Sequence, residues 1–255
     1  MLFGGTVSIM NGRKEMTSCF NISLCVVGDL YVDMAKTLLD NIRTLNNTRI
    51  YLLTNNRAAF KHIDNIVIID FNKAKFSYHD QLIVAKQALE ENDCTLLIDA
   101  DFAFEKDTIL DVSCDDFDCG CYPEWCFDDK VECSMVSFLK GKNKQVPYGK
   151  EFKEFCREKG YDVDGVKHFQ ESFLLIKETD EKKKERLFEA WEILSEFCNK
   201  KDEDRGRKVL GQGEGYSLSV ALRYAGIEIQ NNKKYRNLLK GFKHLRYEKK
   251  NKGKV

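Results

Sequence analysis

Short apolar runs alternate with segments of helical periodicity through the first hundred residues. The apolar runs are typical of buried strands and predict strands at 22–27, 49–54, 66–71 and 95–99. Between them, apolar residues recur every three or four positions, and this spacing predicts helices at 31–45 and 79–91. Strands that alternate with helices predict an α/β fold, in which helices flank both faces of a mixed, mostly parallel sheet.

The second half of the chain is less regular in its apolar pattern. It predicts strands at 134–139, 172–177 and 227–229. Helices are predicted at 150–159, 181–200 and 214–225, the first of them ending before a glycine. No internal repeat or low-complexity linker divides the chain, so we expect a single domain.

Composition and charge are those of a globular protein. The chain has 255 residues, of which 43% are apolar, and this is enough for a sizeable buried core. Lys plus Arg and Asp plus Glu each total 41, so the zero net charge argues against an obligate nucleic-acid binder. We find neither the run of about 18 apolar residues of a membrane span nor the apolar core of a signal peptide. We therefore expect a cytoplasmic protein without a membrane span.

Ten cysteines are too few, in a chain of this length, to indicate a disulfide scaffold. Most are expected to be small buried hydrophobic residues. Five lie close together in sequence and are a candidate zinc site, although they lack the paired C-x₂-C spacing of a strong zinc motif: Cys114, Cys119, Cys121, Cys126 and Cys133.

Asp99 and Asp101 follow the apolar run at 95–99 and form the most informative motif. Residues two apart in an extended segment project to the same side, so the two carboxylates are expected to face one point. Like charges at that separation repel unless a cation lies between them, and carboxylate oxygens suit Mg²⁺ or Mn²⁺. The alternative is that both residues form an ordinary solvated strand end.

With its Asp-x-Asp after an apolar strand, the segment 22–104 resembles the GT-A glycosyltransferases, and 170–176 and 213–222 resemble them more loosely. The resemblance implies a GT-A-like, Rossmann-like catalytic domain at 21–232. Its first half, 21–104, would bind a nucleotide sugar, and 105–232 would bind the acceptor. Residues 1–20 would be an N-terminal extension.

In that family the Asp-x-Asp motif holds Mn²⁺ or Mg²⁺ on the diphosphate of a UDP- or GDP-sugar. The resemblance therefore makes Asp99 and Asp101 metal ligands, with Asp99 also part of the donor site. The other donor-binding positions that it implies, at the ends of the first two strands and on the helix before the motif, are Val27, Gly28, Asp29, Tyr31, Thr54 and Lys86.

The basic tail at 233–255 has ten Lys or Arg residues and one acid. A histidine near the C-terminus completes many metal sites of this family, and His244 is the candidate here. Lys243 and Arg246 flank it and are expected to neutralise diphosphate charge. The alternatives are a surface histidine and a frayed, solvated tail.

An inverting transferase needs a carboxylate base to take a proton from the acceptor hydroxyl. Glu214 is the first candidate, because Gly213 and Gly215 flank it at a predicted helix start and allow close approach of a sugar. Glu171 is the second candidate. Either residue is also compatible with a structural role, for example a first-turn glutamate favoured by the helix dipole.

Three other interpretations stay open. A phosphatase of the HAD type also places Asp-x-Asp after an apolar strand, but its motif usually lies near the N-terminus and is followed by a second acidic motif that we do not find. A sugar nucleotidyltransferase would need a glycine-rich loop after its first strand. A degenerate transferase could serve only as a nucleotide-sugar-binding module.

Overall fold

The computed structural model describes residues 20–42, 48–73, 75–104, 119–121, 134–144, 146–166, 168, 173–230 and 242–244. The amino-terminal half follows the predicted alternation of strands and helices. Its elements are β1 (Asn21–Val26), α1 (Asp29–Ile42), β2 (Ile50–Thr54), β3 (Ile66–Asp70), α2 (Gln81–Glu91), β4 (Cys94–Asp99) and β5 (Phe102–Phe104). Short 3-10 helices at Arg57–Phe60 and Tyr78–Asp80 precede β3 and α2.

The carboxyl-terminal half contains four helices and four short strands in the described ranges. They are β6 (Cys119–Cys121), α3 (Ser134–Leu139), α4 (Gly149–Glu158), β7 (Phe173–Lys177), α5 (Glu181–Asp204), α6 (Glu214–Ala225), β8 (Ile229–Gln230) and β9 (Phe242–His244). None of the helices in these ranges is both long enough and apolar enough to cross a membrane.

One seven-stranded sheet has the order β3-β2-β1-β4-β7-β6-β8. The first four strands in this order are parallel to one another, and β7 is antiparallel to both β4 and β6. The predicted α/β class with a mixed, mostly parallel sheet is therefore confirmed. After β1 the chain builds β2 and β3 on one side and β4 on the other, so β1 and β4 form a topological switch point.

Helices cover both faces of this sheet. Leu96 and Ile98 of β4 pack in a cluster with α1, whereas Leu97, between them, packs in a second cluster with α5 and α6. Alternate residues of a strand point to opposite faces, so the almost uninterrupted apolar sequence of β4 serves two cores.

The prediction of a strand at 134–139 is wrong, because these residues form helix α3. Met135 and Phe138 are buried and lie three residues apart, which places them on one side of a helix. Phe138 stacks on Tyr216 of α6, with ring centroids 3.9 Å apart. A run of six apolar and small residues fits either a strand or a buried helix, and packing against α6 decides between them here.

Candidate functional site

Asp99 ends β4 at the switch point of the sheet. Its register partner is Cys25 of β1, so the carboxylate lies at the carboxyl edge of the two strands between which the strand order reverses. Ligands of open α/β sheets bind outside this edge. Asp99 is half-buried.

Asp101 lies in the turn formed with Ala100 between β4 and β5, and its side chain is only 7% exposed. The segment from Asp99 to Asp101 is therefore not extended, and the strand periodicity that predicted two carboxylates on one side does not apply to it. What the two residues share is their place at the carboxyl end of β4. The interpretation of Asp101 as a solvated residue is excluded by its burial.

Gln81, the first residue of α2, is a site residue that the sequence reasoning missed. Its Nε2 donates a hydrogen bond to Asp99 Oδ1 at 2.6 Å, and its side chain is buried. The sequence pattern that could have indicated it is the capping box at 77–80. In this box the Ser77 hydroxyl accepts a hydrogen bond from the His79 backbone N–H, and the Asp80 carboxylate accepts one from the Ser77 backbone N–H. That pattern starts the 3-10 helix Tyr78–Asp80, which leads directly into α2, so Gln81 follows at the end of β4.

Carboxylates from three elements affect the ionisation of Cys25 in β1. Burial raises the pKa of the Cys25 thiol well above its usual value, and the negative charges of Asp80, Glu214 and Asp99 raise it further. Lys73 opposes this effect and forms an ion pair with the buried Asp80. A cation bound near these carboxylates would offset their negative charge.

Glu214 begins α6, as predicted, and is 4% exposed. The loop before it is anchored to the loop before α2, because Leu210 exchanges backbone hydrogen bonds with Phe76 and Tyr78 at 3.2 and 3.1 Å. Asp202, at the end of α5, accepts from the Gln212 backbone at 2.9 Å. These contacts bring the N-terminal turn of α6 towards the site that α2 and β4 form.

The predicted nucleotide-binding residues of the first two strands lie at the same edge. Gly28 has a φ of +99°, which favours glycine, and its N–H donates to Asn55 Oδ1 at 3.2 Å. Thr54 is buried, and its hydroxyl accepts from the Asn56 backbone at 3.1 Å. Of the remaining positions, Val27 is half-buried, Asp29 is exposed, and Tyr31 packs against the core cluster under α1.

Lys86 lies elsewhere on α2. It is exposed and lines a groove between α2 and α5, together with Glu90 and Glu189. None of the other predicted donor-binding residues in the described ranges lines that groove. Helix α2 does meet Asp99, but through its first turn.

Strand β9 brings part of the predicted basic tail to the motif. It pairs with β5 in antiparallel fashion, with His244 opposite Phe102 and Lys243 opposite Ala103. The backbone of His244 thus lies beside the residue that follows Asp101, although only the backbone of this strand is described. Glu171 and Arg246 lie outside the described residues, as do Cys114, Cys126 and Cys133, and of Cys119 and Cys121 only the backbone is described, in β6.

The donor set suits a hard divalent cation. Aspartate and glutamate oxygens are the ligands of Mg²⁺ and Mn²⁺. Among the described residues, no three Asp, Glu, His or Cys side chains converge to hold a metal ion by themselves. Mg²⁺ typically binds to one or two carboxylates, with water and substrate phosphates completing its shell, so Asp99 and Asp101 fit a site of that open kind.

No protein-family profile matches the chain, and no curated protein is similar to it at a significant level.

Proposed function

We propose that the chain is a metal-dependent glycosyltransferase of the GT-A type, which moves one sugar from a UDP- or GDP-sugar to a hydroxyl of a glycan or related acceptor. The observation that carries the proposal is the position of Asp99 at the β1–β4 switch point, with buried Asp101 two residues later. Sugar transfer requires a site that holds a diphosphate, and carboxylates at this edge of the sheet are suited to a metal-bound diphosphate.

Each residue has a distinct part in this proposal. Asp99 and Asp101 would hold Mn²⁺ or Mg²⁺, with His244 as a further ligand. The metal would act as a Lewis acid on the departing nucleotide diphosphate. Lys243 and Arg246 would add positive charge at the diphosphate. Glu214 would take the proton from the acceptor hydroxyl if the transfer inverts the sugar, and Glu171 is the second candidate for that role.

Calorimetric titration tests the proposal most directly. UDP and GDP, and then their sugars, are titrated into the protein with and without Mn²⁺. We expect one nucleotide diphosphate to bind with micromolar affinity and only when the metal is present. Asp101→Asn should weaken this metal-dependent binding at least tenfold, whereas Asp33→Asn, an exposed control on α1, should leave it unchanged.

Two other functions predict different results. A phosphatase of the HAD type that uses Asp99 and Asp101 would hydrolyse p-nitrophenyl phosphate and would show no preference among nucleotide sugars. A degenerate module would bind a nucleotide sugar without transferring the sugar to any acceptor. Absence of nucleotide binding with and without metal would contradict the transferase and the degenerate module together.

A further inference from the structure

Of the two polar atoms in the Gln81 side-chain amide, only one makes a hydrogen bond within the described residues. Nε2 donates to Asp99 Oδ1 at 2.6 Å, whereas Oε1 is buried and has no hydrogen-bond partner among the described residues. The capping box of the preceding 3-10 helix is formed by Ser77 and Asp80 and does not use this side chain. Among the described residues, the contact with Asp99 is therefore the one hydrogen bond of the Gln81 amide.

The contact with Asp99 fixes the orientation of the amide. An ionised carboxylate only accepts hydrogen bonds, so the NH₂ group of Gln81 has to face Asp99 and the oxygen has to face another direction. Since both atoms are bonded to one carbon, Oε1 also lies at the carboxyl edge of β4. A buried acceptor without a partner is destabilising, and methionine or leucine at this position would avoid that penalty.

We infer that Gln81 Oε1 is a binding contact, which accepts a hydrogen bond from a donor group that arrives with the ligand of Asp99. This inference rests on the proposed function, which supplies the ligand. Phosphate oxygens of an ionised diphosphate accept hydrogen bonds and cannot donate one to Oε1. The available donors are the ribose hydroxyls and base N–H groups of the nucleotide and the hydroxyls of the transferred sugar.

The test compares the wild type with Gln81→Met, which keeps the length of the side chain and removes both hydrogen-bonding atoms. Gln87→Met, on the same helix and half-buried, is the matched control. Each protein is titrated with Mn²⁺ alone, followed by electron paramagnetic resonance, then with the nucleotide diphosphate that the wild type binds, and then with its sugar-bearing form. Thermal unfolding checks that each variant is folded, and Gln81→Leu replaces Gln81→Met if the latter does not fold.

We expect Gln81→Met to weaken binding about threefold to tenfold, the value of one hydrogen bond. A loss that is already complete with Mn²⁺ alone is explained by removal of the Nε2 contact with Asp99 and would contradict a ligand contact of Oε1. A further loss that first appears with the nucleotide diphosphate identifies a donor on the nucleotide, and one that first appears with the nucleotide sugar identifies a sugar hydroxyl.

Two negative outcomes are distinct from each other. If the wild type binds a nucleotide diphosphate and Gln81→Met binds metal, nucleotide and nucleotide sugar equally well, the inference about Gln81 is wrong and the proposed function stands. If the wild type binds none of them, the proposed function fails, and the inference fails with it.

Discussion

His79 Nε2 lies 3.2 Å from Ser217 Oγ, so a buried imidazole joins the turn before α2 to the first turns of α6. Ser217 also donates to the Gly213 carbonyl oxygen at 3.2 Å. Nδ1 of the same ring lies 3.5 Å from Ser77 Oγ, so both ring nitrogens face a hydroxyl. The helices that begin with Gln81 and Glu214 are thus joined through one buried histidine.

Native stability should fall in acid because His79 is buried. Burial lowers its pKa from the usual 6.5 to about 3. Between these pH values the unfolded chain binds a proton that the folded protein does not. The contribution of neutral His79 to the free energy of unfolding is therefore complete above pH 6.5 and is lost progressively as the pH falls towards 3. His79→Gln should reduce the slope of unfolding free energy against pH by roughly 1.4 kcal/mol per unit near pH 5.

Urea unfolding at several pH values between 4 and 7 measures this slope. Burial also lowers the pKa of His168 to about 4, so part of the pH dependence should persist in His79→Gln. The matched control is His62→Gln, since His62 is exposed and its replacement should leave the slope unchanged. An unaltered slope in His79→Gln would show that His79 is not the buried neutral group described above.

Gly211 should be the least replaceable residue of the loop before α6. A Cβ at this position would lie 2.5 Å from His79 Nδ1 and 2.6 Å from Ser77 Oγ, and the φ of +78° already favours glycine. Gly206, with a φ of +67° and open space where its Cβ would lie, is the control for backbone strain alone. We expect Gly211→Ala to destabilise the protein by about 2–4 kcal/mol and Gly206→Ala by about 1 kcal/mol.

Thermal unfolding of both variants checks this prediction. Because the clash would separate the turn before α2 from the loop before α6, Gly211→Ala should also weaken nucleotide binding, whereas Gly206→Ala should not. Equal destabilisation of the two variants would mean that strain, and not the contact with His79, dominates at Gly211.

Local sequence patterns were sufficient for the elements that carry Asp99 and Glu214. The apolar run of β4 ends at its first acid, and α6 has the predicted bounds because Gly213 and Gly226 flank it. Such signals depend on residues close in sequence. They therefore predict where a helix or strand begins and ends, but not which side chain of another element it contacts.

Contacts between distant segments could not be predicted in this way. The pairing of Phe102 with His244 joins two three-residue strands far apart in sequence, and neither is long enough to show strand alternation. The contact of Gln81 with Asp99 depends on how α2 packs across β1 and β4. The periodicity of α2 predicts only which face of the helix is apolar. The resemblance instead directed attention to Lys86, which the structure places in a groove beside α5.

The ion pair of Lys73 with Asp80 should contribute more to stability than the ion pair of Lys75 with Glu203. Asp80 is buried and Lys73 is half exposed, whereas both members of the Lys75–Glu203 pair, 3.3 Å apart, are exposed. Removal of Lys73 leaves a buried carboxylate with fewer partners. We expect Lys73→Met to destabilise the protein by about 1–2 kcal/mol and Lys75→Met by less than about 0.5 kcal/mol, measured by urea unfolding.

The charge of Glu214 should be needed for transfer rather than for donor binding. Glu214→Gln keeps the shape of a buried side chain at the start of α6 and removes its ability to take a proton. With a carboxylate base removed, we expect the rate of sugar transfer to fall by about 10²–10⁴, while metal-dependent binding of the nucleotide diphosphate changes less than about threefold. Glu196→Gln, on the exposed side of α5, controls for the loss of one negative charge. If nucleotide binding and transfer fell together in Glu214→Gln, Glu214 would belong to the metal and donor site, and Glu171 would become the first candidate for the base.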